Sequence, residues 1–454
     1  MSDNKKHVTD WLAAALFKFS FLFLVFVLGG IFAWLQLQPF PFLYQGAVAT
    51  LTLYDEISAE RPPLLGRIHY QGNGVIAHKP GEAYQGYTVL QGSMPGGTQI
   101  RLIDMRGELV QQWPVDFFDL WPEPTHLSEA QIPKTPFNYH TQGMVIEPDG
   151  SVVFNIAEKG TAKLDKCGEV VWLLDRKTHH SITPTEAGYW IPAHKPIDET
   201  EEHLFFKPGT KSKAKRIQHH AFHGYENLVL LVDHNGEVIR EFSVLQSLYD
   251  AGLESALFDA AAIRKTDPTH INDIVEVTPP LAEKLPGVEI GDLLISIRQL
   301  HMLAIFDQYT GELKWHHRGQ WVRQHDPEID SDGNITLFNN SHRHFAFNRE
   351  PGSNIIKFIP ETGEEVVIYP LEDQPTFFSS IMGRHEPLDN GNRLIIESKR
   401  GRVFEINEQG DIVWDYILPY DDEYASLIAE AYRLEESFFE VDNWHCPQQE
   451  TNHL

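Results

Sequence analysis

The pentapeptide Gly311-Glu312-Leu313-Lys314-Trp315 decides the architecture, because the chain repeats its pattern. A glycine followed by Glu or Asp, then an apolar stretch ending on an aromatic or aliphatic residue, also occurs as Gly107-Glu108 to Trp113, Gly168-Glu169 to Trp172 and Gly236-Glu237 to Phe242. It continues as Gly363-Glu364 to Ile368 and Gly410-Asp411 to Trp414. Intervals of about 47 to 75 residues suit four-stranded propeller blades with loop insertions. Hairpin signals fill the other half of the repeat. Asp149-Gly150 leads into Ser151-Val152-Val153-Phe154, Asp332-Gly333-Asn334 into Ile335-Thr336-Leu337-Phe338, and Asn390-Gly391-Asn392 into Arg393-Leu394-Ile395-Ile396. An all-β sandwich with hairpins of no fixed period is the competing reading, and six copies of one signature weigh against it. The expectation is an all-β chain with a six-bladed β-propeller over residues 81–416.

Working outward, residues 1–37 read as a cytoplasmic tip and transmembrane anchor. From Trp11 to Trp34 the chain is almost wholly apolar, with Lys18 near the start. About 24 residues rising 1.5 Å each cross a hydrocarbon core of roughly 30 Å. Lys5 and Lys6 precede the run, which by the positive-inside rule leaves the bulk of the chain on the periplasmic or extracytoplasmic side. A signal peptide cut near Ala47-Val48-Ala49 is the alternative, and it too exports the domain. Residues 38–80 read as a connecting region with short strand-like pieces and the breaker Pro62-Pro63. Small helical insertions are expected at Leu245–Arg264, either covering the mouth of a site or packed on the propeller. Asp421–Glu440 carries Leu427, Ile428, Ala431 and Leu434 at helical spacing, so residues 417–454 are expected to form a helical tail.

Composition limits the function classes. A chain of 454 residues with 42% hydrophobic content buries a substantial core, and a net charge of -27 excludes nucleic acid as a general partner. Cys167 and Cys446 have no metal-ligand spacing; a disulfide and two buried thiols both remain open.

In a propeller the innermost strands line a central channel, and their starts open onto one face. Residues far apart in sequence therefore meet there. The candidates by blade are His140 with Thr141 and Gln142, His179 with His180, His270 with Asn272, His325 with Asp326, and Arg384 with His385; Ser296-Ile297-Arg298 lies on an apolar strand pattern between His270 and His325. Three chemistries fit such a ring. Imidazoles with Asp326 suit a metal, and hence a propeller hydrolase or lyase. A histidine nucleophile with an arginine suits transfer of a tetrahedral anion. The third is a non-catalytic ligand-binding or scaffold propeller. Trp190, Trp321 and Phe377 are candidate aromatics for stacking on a ring at the mouth.

The stretch from about 137 to 416 resembles the bacterial arylsulfotransferases, six-bladed propeller enzymes that pass a sulfuryl group between phenols. The resemblance rests on His270-x-Asn272-Asp273, Leu294-Ile295-Ser296-x-Arg298, Gly311-Glu312-x-x-Trp315 and Gln324-His325-Asp326, followed by Asp332-Gly333-Asn334-Ile335, Asn390-Gly391-Asn392 and Gly401-Arg402-Val403-Phe404-Glu405. It implies a ping-pong reaction through a sulfated histidine, with a phenolic sulfate donor, a phenolic acceptor, no nucleotide sulfate donor, no cofactor and no metal. By matched position His325 is the nucleophile; His270, Asn272 and Arg298 bind the sulfate oxygens; and one histidine assists proton transfer at the phenol. His140 matches the family's earlier site histidine, and Ser380 (or Ser379) stands where the last blade contributes a hydroxyl. An imidazole with an ordinary pKa near 6.5 is unprotonated and nucleophilic at neutral pH.

Overall fold

Each glycine turn of the repeat joins the third and fourth strands of one antiparallel sheet, and six such sheets form the blades of a β-propeller. A computed structural model describes residues 2–35, 37, 40–196, 225–257, 267–341 and 352–446. These fall into two units, residues 1–61 and 62–454. Blade 1 comprises Thr141–Ile146, Val152–Ile156, Gly160–Leu164 and Val170–Leu174. In blade 2 the inner strand is split into Lys177–Thr178 and Thr183–Thr185, followed by Gly188–Pro196, Tyr225–Val232 and Val238–Ser243. Blade 3 is Ile271–Glu276, Leu293–Ile297, Met302–Phe306 and Leu313–Arg318; blade 4 is His325–Ile329, Ile335–Asn339, Asn354–Ile359 and Glu364–Tyr369. Blade 5 runs from His385–Pro387 through Arg393–Glu397 and Arg402–Ile406 to Ile412–Ile417.

The signature has a physical reason at both ends. In blade 1, Oδ1 of Asp165 accepts the amides of Cys167 at 2.8 Å and Glu169 at 2.9 Å, closing a turn in which Gly168 takes φ +86°. That left-handed step costs glycine nothing, and a bulge follows at Val171 within the fourth strand. The aromatic at the other end reaches the next blade. The Trp172 indole donates to the His234 carbonyl at 3.0 Å, and its ring lies 2.8 Å from where a Cβ on Gly236 would stand. Phe242 occupies the same place against Gly311, at 2.7 Å. Trp113 and Trp414 likewise donate to carbonyls of the following turn, those of Asp165 and Met105, each at 3.0 Å.

Among the described residues, six apolar clusters lie between the blades. Val152, Phe154 and Ile156 face blade 6, whereas Val153 of the same strand faces blade 2. Likewise Leu293, Ile295 and Ile297 pack on blade 2 and Leu294 on blade 4. Strands buried on both faces read as continuous apolar runs, which is how they appear in the sequence.

The ring closes in a way the sequence reading did not anticipate. The expected C-terminal helix is a strand: Leu427–Leu434 forms the inner strand of blade 6 and pairs with Tyr87–Met94, which continues to Gly97–Ile103 and Leu109–Pro114. Leu427 and Ile428 are buried, and a bulge between Ile428 and Glu430 shifts the alternation of side chains, so the apolar residues mimic helical spacing. Blade 5 gains a fifth strand, Gly74–His78, from the region expected to be connecting chain. The propeller therefore extends beyond residues 81–416 in both directions. The tail then crosses to blade 1. Glu440 N–H donates to the Pro148 carbonyl at 2.7 Å, and a disulfide joins Cys167 to Cys446.

Of the expected insertion at Leu245–Arg264, a helix covers Val244–Asp250, capped by the Ser243 hydroxyl on the Gln246 amide; residues 258–266 lie outside the described set. In the N-terminal unit, helices run from Ser2 to Trp34 and from Phe40 to Ile57, the second where strand-like pieces were expected. Ala15–Trp34 is long and apolar enough to serve as a signal sequence or membrane anchor.

Candidate active site

The inner strands run from a histidine-lined mouth, through a narrow waist, to a second chamber. Where the inner strands of blades 1 to 5 enter the channel, the backbone turns left-handed. Gly143 has φ +49°, His180 +52°, His270 +49°, Asp326 +53° and Met382 +54°, one for each of blades 1 to 5. For the residues other than glycine this costs about 1 to 3 kcal/mol each, and such positions concentrate at functional sites. Gly143 is required by close approach as well, since a Cβ there would stand 1.8 Å from the His180 carbonyl oxygen.

Buried amides hold these turns, each passing from one blade to the next. Gln91 of blade 6 donates to the Gly143 carbonyl at 3.4 Å. In blade 1, Gln142 accepts the His180 amide at 2.9 Å and Asn155 donates to the His180 carbonyl at 3.0 Å. Asn227 of blade 2 donates to Asp267 (2.9 Å) and Thr269 (2.8 Å). Asn272 of blade 3 donates to the Gln324 carbonyl at 2.7 Å. Asn340 of blade 4 donates to the carbonyls of Ser379 (2.9 Å) and Met382 (2.7 Å). A buried amide left unpaired costs about 1 to 3 kcal/mol, so these clasps set the loops with authority.

Three imidazoles converge on the mouth. The His180 ring centroid lies 4.9 Å from that of His270 and 6.4 Å from that of His325. Nδ1 of His325 faces two acceptors, the Arg323 carbonyl at 3.1 Å and Oδ1 of Asn340 at 2.6 Å. It therefore carries the proton, and Nε2 presents its lone pair to the cavity that His325 lines. Nδ1 of His270 donates to the Asp267 carboxylate, whose other oxygen accepts the His270 amide at 3.0 Å. This too leaves Nε2 bare. Nδ1 of His180 and Nδ1 of His179 lie 2.8 Å apart, so one donates to the other. Nε2 of His179 is buried without a partner among the described residues, and a bare lone pair is cheaper there than an orphaned N–H. His179 is then the donor, and His180 presents Nε2–H.

Burial, with the neighbouring Arg298 guanidinium next in weight, holds His325 down to about 3. Burial also lowers His270 despite its carboxylate partner, and lowers His180, which faces His270 and His325. Burial by itself raises Asp267, but the His270 pairing outweighs this and keeps the carboxylate well below its usual range. The imidazoles are thus neutral at neutral pH.

They line a cavity of about 450 Å³ with Arg298, Lys159, Tyr139 and Met382; among the described residues Glu158 is the one carboxylate in its wall. Arg298 is buried on the turn after the second strand of blade 3, where its amide donates to the His270 carbonyl at 3.1 Å. Among the described residues the cavity wall of this acidic chain thus holds two cationic side chains, Arg298 and Lys159.

Of the residues expected from sequence, His325, His270 and Arg298 meet in this cavity. His140 lines it as well, lowered to about 4 by burial. Asn272 lines the waist instead, its amide nitrogen engaged by Gln324. Ser380 is not among the residues lining the cavity; Ile381 and Met382 represent its segment. Trp321 is a correction: it is buried in the cluster between blades 3 and 4, with its indole on the His301 carbonyl at 3.0 Å. Trp190 and Phe377 are likewise core residues between blades. Asp326, considered as a partner of the imidazoles in a metal sphere, instead accepts from the amide of His385 (2.6 Å) and its Nδ1 (2.7 Å) and pairs with Arg384. Among the described residues, no three His, Cys, Asp or Glu side chains are grouped to hold a metal ion.

His180 was one of the ring candidates but had no assigned role, and Asp267 and Asn340 were missed. Asp267 had a signal, an acid three residues before His270. Asn340 had none, because it reaches His325 from the end of a neighbouring strand.

The chain is similar in structure to a protein of unknown function from Bacteroides caccae, with 13% identity over 76% of this chain and 99% of that one, at a TM-score of 0.45. It is also similar to virginiamycin B lyase from Staphylococcus aureus (10% identity, 61% and 70% covered, TM-score 0.34) and to the Dos1 propeller (9%, 82% and 76%, TM-score 0.38). No curated protein sequence matches it. The model of the arylsulfotransferase (ASST) family matches residues 143–418, more than half of the chain, and the protein belongs to that family.

Proposed function

We propose that this chain transfers a sulfuryl group from a phenolic sulfate ester to a phenolic acceptor, with His325 as the group that carries it between the two. Family membership suggests aryl sulfotransferase activity. The observation that carries the finer reading is the tautomer of His325. Its Nδ1–H is held by Arg323 and Asn340, and its Nε2 opens onto a cavity shared with Arg298, His180 and His270.

In the first half-reaction the Nε2 lone pair attacks sulfur while the S–O bond to the aryl oxygen breaks, and the phenolate leaves with the bonding pair. Arg298 and Nε2–H of His180 stabilise the charge on the sulfate oxygens and on the phenolate. The sulfated ring carries positive charge, which its Nδ1–H shares with the Asn340 and Arg323 oxygens. In the second half-reaction the acceptor phenol gives its proton to Nε2 of His270, whose imidazolium is stabilised by Asp267. The phenol oxygen attacks sulfur, the N–S bond breaks, and its electron pair returns to His325. Asn272 acts by position: it holds the Gln324 carbonyl beside the nucleophile. Export of the propeller is part of the same reading, supported by the apolar N-terminal helix and by the disulfide, which is characteristic of oxidising compartments.

The test is phenol release from an aryl sulfate, with and without a second phenol, for wild type and His325→Ala. Release that depends on the acceptor and is abolished by the substitution supports the proposal. Release that ignores the acceptor and disappears with chelator points to a metal hydrolase. No release from several esters by the folded protein points to a binding propeller.

A further inference from the structure

Beyond the waist, the far ends of the inner strands enclose a second chamber that the transfer reaction does not use. It is a cavity of about 300 Å³ walled by Ile146, Ile182, Val275, Leu434 and Phe438. Its polar side carries Asp273, Glu328, Arg384 and Tyr432, with the hydroxyls of Ser181 and Thr183. Arg384 is already engaged. Its guanidinium lies 3.1 Å from Asp326, 3.3 Å from Glu430 and 3.5 Å from Glu328, and 4.4 Å from the centroid of the Tyr432 ring.

Asp273 is the carboxyl left over. It is 7% exposed, one of its oxygens accepts the Ile274 amide at 2.8 Å, and the other meets no donor among the described residues. It borders both the waist and the chamber. Around it stand Asp326 and Glu328 from blade 4, Arg384 at the start of blade 5, and Glu430 and Tyr432 from blade 6, with Glu386 of blade 5 beside Glu328. Arg393 acts on Glu328 from behind, and Arg433 is taken by Glu405 at 3.0 Å and by Glu386, which accepts its amide. Asp273, Asp326, Glu328 and Glu430 thus share one guanidinium, Arg384, while Arg393 acts on Asp326 and Glu328 alone among them. Burial and this crowding push Asp273 up to about 8, and burial pushes Glu430 up to about 7.

Apolar walls beside an excess of carboxyl groups define the occupant by its chemistry. An anion opposes ionisation of these acids and a neutral molecule does nothing to favour it, whereas a cation beside Asp273 and Glu328 lets them give up their protons and pair with it. A cation with an apolar body relieves both the repulsion and the empty contact surface. A cavity of roughly 150 Å³ holds benzene, so this one has room for a ring with a short side chain. We propose that the chamber binds an arylalkyl ammonium ion, its ring between Ile146, Ile182 and Phe438 and its ammonium group on Asp273 and Glu328. The site does not depend on the transfer reaction and lies on the other side of the waist from His325.

The experiment is calorimetric titration of phenethylammonium into the full chain in nanodiscs of zwitterionic lipid at pH 8, with 2-phenylethanol and phenylacetate as its neutral and anionic counterparts. Empty nanodiscs give the background. The expected result is one ammonium per chain, bound at least about tenfold more tightly than the alcohol, as one charge-assisted hydrogen bond provides, with no binding of phenylacetate. Asp273→Asn and Glu328→Gln each remove most of the advantage of the ammonium over the alcohol, and Val275→Trp, which fills the chamber, abolishes binding of both. Glu328→Gln and Val275→Trp suffice if Asp273→Asn does not fold. Equal binding of alcohol and ammonium, no heat at millimolar ligand, or ammonium binding that survives Val275→Trp overturns the proposal.

Discussion

Replacing Asp267 by Asn separates the two half-reactions. The Asp267 carboxylate accepts Nδ1–H of His270, the His270 amide and the Asn227 amide. An asparagine keeps the shape but offers a donor where His270 needs an acceptor. The imidazole then moves its proton to Nε2 and can no longer take one from the acceptor phenol. General-base catalysis is worth about 10² to 10⁴ in rate, or about 3 to 5 kcal/mol of barrier. His325 keeps its own partners, Arg323 and Asn340, so attack on the donor survives. In rapid-quench experiments with an aryl sulfate, Asp267→Asn should release a burst of phenol near one per chain, while steady-state turnover with acceptor falls by about two to four orders of magnitude. Loss of the burst, or unchanged turnover, refutes the assignment of His270 as the acceptor's base.

Other outcomes follow from the same geometry. His325 is held down to about 3, so the burst rate in wild type should stay level from neutral pH to about pH 5 and fall only in stronger acid as Nε2 is protonated. Asn340→Asp places a carboxylate on Nδ1, favours the protonated ring and should move that acid limb upward by about 1 to 3 pH units. Stability should depend on pH in two windows. Buried His140, His325 and His385, lowered to about 4, 3 and 4, destabilise the fold as pH drops below about 6.5, because the unfolded chain binds protons that the folded one refuses. Asp273, Glu386 and Glu430, raised to about 8, 7 and 7, bind protons in the folded state that the unfolded chain has lost, so stability declines as pH rises from about 4 to 8. Above about pH 6.5 only the carboxyl arm remains, and Asp273→Asn should flatten the fall in Tm there. Cys446→Ser should lower stability by about 2 to 4 kcal/mol in chemical denaturation, since the disulfide closes a loop of 279 residues and fastens the tail that follows the inner strand of blade 6. No change would mean that the tail docks without it.

Much of the propeller was legible because in four of the repeats the residue that ends the motif touches the turn of the next one. Trp172 needs Gly236 and Phe242 needs Gly311, so the spacing of the sequence records the packing of the blades. The closure was hidden because it joins residues from opposite ends of the chain. Ile428 pairs with Gly92, and nothing local distinguishes that bulged strand from an amphipathic helix. Among site residues, histidines were legible from their place at the start of inner strands. Their protonation states were not, because Asp267 and Asn340 fix them from outside those strands. Trp321 misled for a general reason: an indole satisfied by a carbonyl on a neighbouring turn is good mortar between blades, and the sequence does not separate that use from stacking on a ligand.

The central claim is that His325 carries the sulfuryl group, and mass spectrometry after incubation with an aryl sulfate in the absence of acceptor tests it most directly. The account predicts a gain of one SO₃ unit per chain, located on the peptide that contains His325, lost on addition of a phenol and absent from His325→Ala. Turnover of the ester with no covalent adduct, or an adduct on any other residue, would contradict it.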